Sequence, residues 1–421
     1  MLKFRWETEF QETEIGEIPK EWEIKKVEEI AEKSILGSTP LKRKIEYWSN
    51  GSIPWLTNKE MEYGQVNIIK DTELKVNEKA LKETNLNLIP PFSLIVSFTA
   101  SVGKVGINKI SITTNQQFIS FVLNKNTSVL YYGYYFVLAK EIIESFSGAT
   151  PFSFITKEKA LQILVPYPPL SEQSRIATVL SWFDDLIENK KRQNEILEKT
   201  AMAIFKSWFV DFEPFQNEEF VYSEELGREI PKGWEVKKVG AIFKLIKGRK
   251  CTVVNKPQNG ALPYLLIESF KTGEELWTLD KINHLYIVSE EDIVFVADGE
   301  SSGKIFRYKY GILGSTLLYL HVKNPDDSLY IRNFTYLFLK FHEEDIMSHR
   351  TGSAIPHLDK SYLQNFSILL PPFLILQRFH ELVEPLFKKI ILNQKEIMIL
   401  RKARDALLPK LVFGKLRVVE I

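Results

Sequence analysis

Two Gly-Lys dipeptides, Gly103-Lys104 and Gly303-Lys304, come nearest in this chain to a loop that could cradle phosphate. A nucleotide-binding P-loop also needs an earlier glycine at a fixed spacing, and a Ser or Thr after the lysine to hold magnesium. Those positions are Phe98 and Val105 in the first copy and Asp298 and Ile305 in the second, so triphosphate chemistry is not expected. Pro-Pro-Phe follows Ile89 and Leu370 rather than Asn or Asp, which removes the motif of an amino-methyltransferase. Pro325-Asp326 lacks the acid-x-Lys pair of a metal nuclease. All six histidines (284, 321, 342, 349, 357 and 380) lie in the second half of the chain. Neither His342 with His349 nor Glu343-Glu344-Asp345 has the spacing of a metal site. Cys251 is the only cysteine, which excludes a disulfide framework and a cysteine-rich zinc site. No catalytic or metal-ligating residue is assigned.

The remaining chemistry is that of holding anions and reading amide-complementary edges. Thr39-Pro40-Leu41-Lys42-Arg43-Lys44 sets three cations in a turn-like segment ahead of Tyr47-Trp48, and Lys244, Lys247, Arg249 and Lys250 take the corresponding place in the second half. Lys104, Lys304, Arg307 and Lys309 add further cations. Such groups contact phosphates without reading sequence. Asn115-Gln116-Gln117 carries amides that can bond adenine edges in a major groove, and its counterpart is Gly314-Ser315-Thr316. Short basic runs are also ordinary solvated surface, and loop tips diverge by drift, so these residues alone do not decide a function.

The chain of 421 residues has a net charge of only +1, but the charge is sorted. Residues 1–37 hold 6 bases and 10 acids, whereas residues 38–165 hold 14 bases and 10 acids. A 44% hydrophobic content is ample for folded cores, and no apolar run is long enough to span a membrane. The N-terminus has no apolar segment of the signal-peptide kind, so a soluble, cytoplasmic protein is expected.

What positions these residues is a repeat. Ile18-Pro19-Lys20-Glu21-Trp22-Glu23-Ile24-Lys25-Lys26-Val27 recurs as Ile230-Pro231-Lys232-Gly233-Trp234-Glu235-Val236-Lys237-Lys238-Val239, at an offset of 212. The Gly-Lys pairs follow at an offset of 200, and Pro168-Pro169-Leu170 recurs as Pro371-Pro372-Phe373 at 203. The chain is two copies of one unit, which implies an internal pseudo-two-fold. Each copy opens with a mixed region: β-like runs at 93–98 and 118–123, matched by 292–296 and 316–320, with helical stretches such as 132–143 between them. The expected fold class is α+β.

Each copy then closes with a long amphipathic stretch. In the first, Ser171-Glu172 can cap a helix, and apolar residues follow at 3-4 spacing: Ile176, Leu180, Phe183, Ile187, Leu197, Ala201, Ile204 and Trp208, with Lys190 and Asn194 between. In the second the stripe is Phe379, Val383, Leu386, Ile390, Asn393, Ile397, Leu400, Arg404, Leu407 and Leu411. A stripe of this kind most often packs on its own domain. Its length, and the polar residues in mid-seam, favour two helices paired as an antiparallel coiled coil. At ~1.5 Å per residue each would be roughly 50–55 Å long, a spacer between two globular domains. The expected divisions are 1–165, a helical spacer 166–214, 215–370, and a second spacer 371–421.

Taken together, these motifs resemble the specificity subunits of type I restriction-modification systems over essentially the full length. Gly37-Ser38-Thr39-Pro40 with Tyr47-Trp48 and Ile53-Pro54-Trp55 looks like the opening of a target recognition domain in that family. Gly148-Ala149-Thr150-Pro151 and Gly352-Ser353-Ala354-Ile355-Pro356-His357-Leu358 look like its closing element, and Pro168–Ile176 like the start of its central helix. Ile204–Pro214 and Leu407–Leu411 are similar to the ends of the two helical regions, whereas Leu374-Ile375-Leu376-Gln377 departs from the Ser-Glu-Gln form. The resemblance implies a subunit without catalysis of its own, in which two target recognition domains each read half of a bipartite double-stranded DNA site. It also implies two modification subunits and restriction (translocase) subunits as partners, with S-adenosylmethionine, ATP and Mg2+ belonging to those partners.

Overall fold

The computed structural model describes residues 2–5, 8–99, 102–140, 143, 155–271, 273, 275–324, 328–352 and 355–420. Its packing separates one unit, Met1–Ile187 with Ile399–Ile421, from a second, Glu188–Met398. The closing element expected at Gly148–Pro151, and Ser353, Ala354 and Pro325-Asp326, lie outside the described residues.

In the first unit a five-stranded sheet runs in the order Ala31–Leu36, Phe118–Leu123, Leu94–Ser97, Val105–Asn108, Val66–Ile69. Its pairs are antiparallel except the last, which is parallel. The strand Leu94–Ser97 is buried throughout, so it reads as a continuous apolar run rather than an alternating one. Helix Val129–Leu138 lies on this sheet, burying Tyr131, Tyr132, Tyr134, Tyr135 and Phe136. Gly133 permits the close approach, since a Cβ there would meet Val66 at 3.2 Å. A smaller sheet, Thr113–Thr114, Ile53–Leu56 and Lys75–Val76, completes the domain. Near the ends of the chain, Leu2–Arg5 pairs antiparallel with Arg417–Glu420.

The second unit repeats the frame. Phe243–Lys247, Leu317–Val322, Val294–Val296 and Ile305–Phe306 form a sheet in the same relative order, and helix Ser328–Phe341 corresponds to Val129–Leu138. Among the described residues no strand matches the first unit's Val66–Ile69 in this sheet. A second four-stranded sheet, Leu276–Thr278, Leu262–Leu265, Gly311–Leu313 and Ile287–Val288, stands where the first unit has three strands.

Both long helices form, Leu170–Phe209 and Phe373–Val412, each of 40 residues. Within the first unit Ile176 and Leu180 share a core with Leu408, Leu411 and Val412, and Arg404 Nη1 donates to Asp184 Oδ1 at 2.6 Å. Within the second, Leu197, Ala201 and Ile204 share a core with Phe379, Val383, Leu386 and Ile390. There Lys190 reaches Asn393 Oδ1 at 3.4 Å and also pairs with Glu396. Rising numbers on one helix meet falling numbers on the other, so the pairing is antiparallel. Leu180, Ile187, Val383, Ile390 and Asn393 are buried; Phe183, Leu386, Leu400 and Leu407 are half-buried. The buried face is wider than the expected seam. Phe205 and Phe209, one position beyond Ile204 and Trp208, are more deeply buried than either, because this end of the helix packs on Trp234 and Phe334 of the second domain as well as on Phe379 of the partner helix.

The Ser-Glu-Gln element has a buried purpose. Gln173 accepts from Ser128 N at 2.8 Å and donates to Pro168 O at 2.8 Å, which ties the helix start to the helix on the sheet. Glu172 accepts from Trp22 Nε1 at 3.1 Å and is paired with Arg417. In the second unit Ile375 and Leu376 replace these two residues, and the buried Trp234 Nε1 has no hydrogen-bond partner. Removing a satisfied donor costs more than removing an orphan. Trp22→Phe is therefore expected to cost about 1–2 kcal/mol more than Trp234→Phe. Denaturant unfolding of the two variants checks this, and equal losses would refute it.

Candidate nucleic-acid interface

In the first unit the expected residues meet at one end of the sheets. The turn after Ala31–Leu36 runs against the turn before Phe118–Leu123: Ser38 N donates to Thr114 O at 2.9 Å, and Trp55 Nε1 to Ser38 O at 3.0 Å. Gly37 sits so close to Asn115 O and Thr114 that no Cβ would fit, which explains the glycine. Thr39 Oγ1 then donates to Gln116 Oε1, holding that side chain where it projects. The three amides divide their labour. Gln117 Oε1 accepts from both Asn115 Nδ2 and Asn58 Nδ2 at 2.9 Å, so Asn115 and Gln117 brace the turn. Gln116 is the exposed member of the three. Lys104 Nζ donates to Asn58 O at 2.7 Å and joins the same cluster.

The basic turn also divides. Lys42 and Arg43 are exposed. Lys44 instead bonds Tyr47 Oη at 2.7 Å and pairs with Glu46 and Glu83 at 2.9 and 3.1 Å. These contacts, Tyr47 first, raise its pKa and commit its charge to folding the turn. Expected as a phosphate anchor, Lys44 is placed as a local brace.

The second unit builds the equivalent place with other groups. Arg249 N donates to Leu313 O at 2.9 Å, and Gly248 again lies too close to Gly314 for a side chain. The Arg249 guanidinium stands 4.5 Å over Tyr286, and Lys250 is exposed. Lys247 Nζ meets Asp298 Oδ2 at 2.8 Å, and His357 Nδ1 meets Asp298 Oδ1 at 2.8 Å. Burial raises the Asp298 pKa, but the hydrogen bonds from Lys247 and His357 outweigh it and hold the carboxyl below its ordinary value. Ser315 and Thr316 are half-buried beside this cluster, with Thr316 O accepting from Ala297 N at 2.8 Å. Lys304 is half-buried, its ammonium 5.8 Å from the Phe306 ring.

Arg307 is placed differently from the expectation. It is 5% exposed. Its Nε donates to Glu291 O at 3.0 Å, and its guanidinium lies among the rings of Tyr308, Tyr336 and Phe387. Burial lowers its pKa. A side chain so enclosed cannot reach a phosphate in solvent; it packs the domain instead.

Asn58, which braces Gln117, and the Asp298–His357 pair were not singled out from sequence as interface residues. Asn58 carries no motif. Asp298 and His357 are 59 residues apart and are joined only by folding. Among the described residues no three His, Cys, Asp or Glu side chains gather to hold a metal, and no helix is long and apolar enough to cross a membrane.

A duplicated α+β domain with a polar, partly basic strand end in each copy and two long paired helices has the build of a DNA-specificity subunit. A family model described as the type I restriction modification DNA specificity domain matches residues 19–199 and again 231–400. The type I restriction enzyme MjaIX specificity subunit of Methanocaldococcus jannaschii is 43% identical over 100% of this chain and 99% of its own length. The EcoR124I/EcoR124II specificity subunit of Escherichia coli is 31% identical over 39% of this chain and 42% of its own. A crystal structure of the type I restriction-modification S subunit from M. genitalium has a similar fold, with a TM-score of 0.53 at 19% identity, covering 93% of this chain and 96% of that one. The chain belongs to the type I restriction-modification specificity-subunit family, whose members are the non-catalytic DNA-recognition components of their complexes.

Proposed function

We propose that the domain within Met1–Val165 reads one half of a bipartite duplex site and the domain within Phe215–Leu370 reads the other. The paired helices, 166–214 and 371–421, set the gap between halves and dock two modification subunits together with the restriction (translocase) subunits. S-adenosylmethionine, ATP and Mg2+ serve those partners, and the complex works in the cytoplasm. The observation that carries this reading is the repeated strand-end scaffold with different tips. One copy projects Gln116 braced by Thr39, and the other has Ser315 and Thr316 beside Asp298 and His357. Equal frames with unequal polar tips suit two readers of unequal half-sites.

Random-site selection with the chain assembled on its modification subunit tests this. It should enrich two short conserved blocks separated by a fixed gap; enrichment of no bipartite sequence would refute the assignment. Gln116→Ala should relax preference at one position of one block, with about 1–3 kcal/mol of discrimination lost there. A variant that altered both blocks, or neither, would remove Gln116 from the reading role.

A further inference from the structure

An amide side chain reads adenine with both of its ends: the carbonyl oxygen accepts from the adenine amino group while the NH2 donates to N7. Gln117 has one of those ends to offer. Its Oε1 accepts from Asn115 Nδ2 and from Asn58 Nδ2, each at 2.9 Å, so both lone pairs of that oxygen are spent inside the protein. The backbone fixes which end is the oxygen. Gln117 N donates to Asn115 Oδ1 at 3.0 Å, which turns the Asn115 nitrogen toward the Gln117 side chain, and a nitrogen donor requires an oxygen opposite it.

The arrangement is held from several sides. Asn115 and Asn58 are both buried. Asn115 N donates to Leu56 O at 3.2 Å, and Phe98 N donates to Gln117 O at 2.9 Å. The Gln117 Nε2 has no partner among the described residues, and the residue is half-buried rather than enclosed. At the strand end it therefore offers two N–H donors and no acceptor. Lys104, whose Nζ donates to Asn58 O at 2.7 Å, brings the same polarity, since an ammonium also only donates. Gln116 differs: its Oε1 takes one hydrogen bond, from Thr39, and keeps a lone pair for a base.

We propose that Gln117 is a specificity-determining residue of the first half-site, demanding a base with a keto oxygen in the major groove, guanine O6 or thymine O4, and rejecting adenine and cytosine. The proposal rests on the two-reader assignment and adds to it the chemistry of one base. Guanine presents two neighbouring acceptors, N7 and O6, and thymine presents O4. Adenine and cytosine present an amino group, whose hydrogens would meet the Gln117 NH2 head on and leave donors without acceptors. The restriction belongs to the first unit. In the second, Ala297 N donates to Thr316 O at 2.8 Å as Phe98 N does to Gln117 O, and the Thr316 hydroxyl can both donate and accept.

The test is random-site selection with the full chain assembled on its modification subunit, run for wild type, Gln117→Glu and Gln117→Met. Glutamate keeps an inner oxygen for Asn115 and Asn58 but turns a second oxygen outward. One position of the first block should then switch from guanine or thymine to adenine or cytosine, with the second block unchanged. Methionine removes the donors, and the same position should lose its preference. In competition among four duplexes differing only there, wild type should favour keto over amino bases by about tenfold. The methionine variant should discriminate by no more than about twofold, and the glutamate variant should reverse the order. The wild-type base itself tells guanine from thymine. Melting curves establish folding; glutamate keeps both internal hydrogen bonds and methionine adds no charge, so the two variants do not share a route to misfolding. An amino base in wild type at the position the variants alter, or folded variants that select the wild-type block unchanged, overturns the proposal. If wild type enriches no bipartite site, the two-reader assignment fails first; a bipartite site indifferent to Gln117 defeats this proposal alone.

Discussion

Replacing Lys42 and Arg43 together by alanine is expected to weaken binding to every duplex, specific or not, by on the order of 30-fold at 0.15 M salt. Both side chains are exposed on the turn that follows strand Ala31–Leu36, whereas Lys44 is taken up by Tyr47, Glu46 and Glu83. Each lost phosphate contact returns about 0.9 of a counterion, so the slope of log affinity against log salt should become shallower by roughly 1.8. Converging affinities near 1 M salt would mark the loss as electrostatic. The selected sequence should not change, because phosphates carry no base identity. Lys44→Ala should behave differently, lowering stability more than the salt slope. An unchanged slope in the double variant would remove the turn from the DNA surface.

The second large effect is expected from Arg404→Met. Arg404 is almost fully buried; it pairs with Asp184 at 2.6 Å and Asp405 at 2.8 Å, and it caps the Gly64 carbonyl. Tyr134 Oη donates to the other oxygen of Asp184 at 2.5 Å, and burial, followed by the nearby Asp184 charge, raises the phenol's pKa. Methionine keeps much of the volume but strands the Asp184 carboxylate. Breaking such a pair from one side costs about 3 kcal/mol, nearer the low end because Asp184 keeps some water. The unfolding transition of the first unit should fall by roughly 6–12 °C. Arg404 touches only first-unit residues in these contacts, so the second unit's transition should hold. A melt like that of wild type would show that the network adds nothing to stability.

Arg404 shows where sequence reasoning stops. Its place in the heptad stripe marks it as a polar break in a helix seam, which periodicity identifies because helical side chains three and four apart share a face. That the same guanidinium also reaches the carbonyl of Gly64, 340 residues earlier, is invisible to any local pattern. Lys44 and Arg307 teach the same lesson from the other side. A cation in sequence carries charge but no address, and only burial and partners decide whether that charge faces solvent or a carboxylate.

The repeat, the α+β alternation and the two long helices were determined by the sequence itself, because turn residues and apolar periodicity act over a few residues and recur at a fixed offset. The strands came out at 94–97, 118–123, 294–296 and 317–322, each within two residues of the apolar runs that announced them, and helix 129–138 begins slightly before its expected start. Tertiary structure alone decided which polar groups face outward. It left Gln116 exposed and braced by Thr39 while locking Asn115 and Gln117, left Lys42 and Arg43 in solvent, buried Arg307, and brought Asp298 to His357 and Tyr63 to two lysines. The physical reason is range: hydrogen bonds and ion pairs act over a few ångströms in space, and which side chains come that close is fixed by packing between segments far apart in the chain.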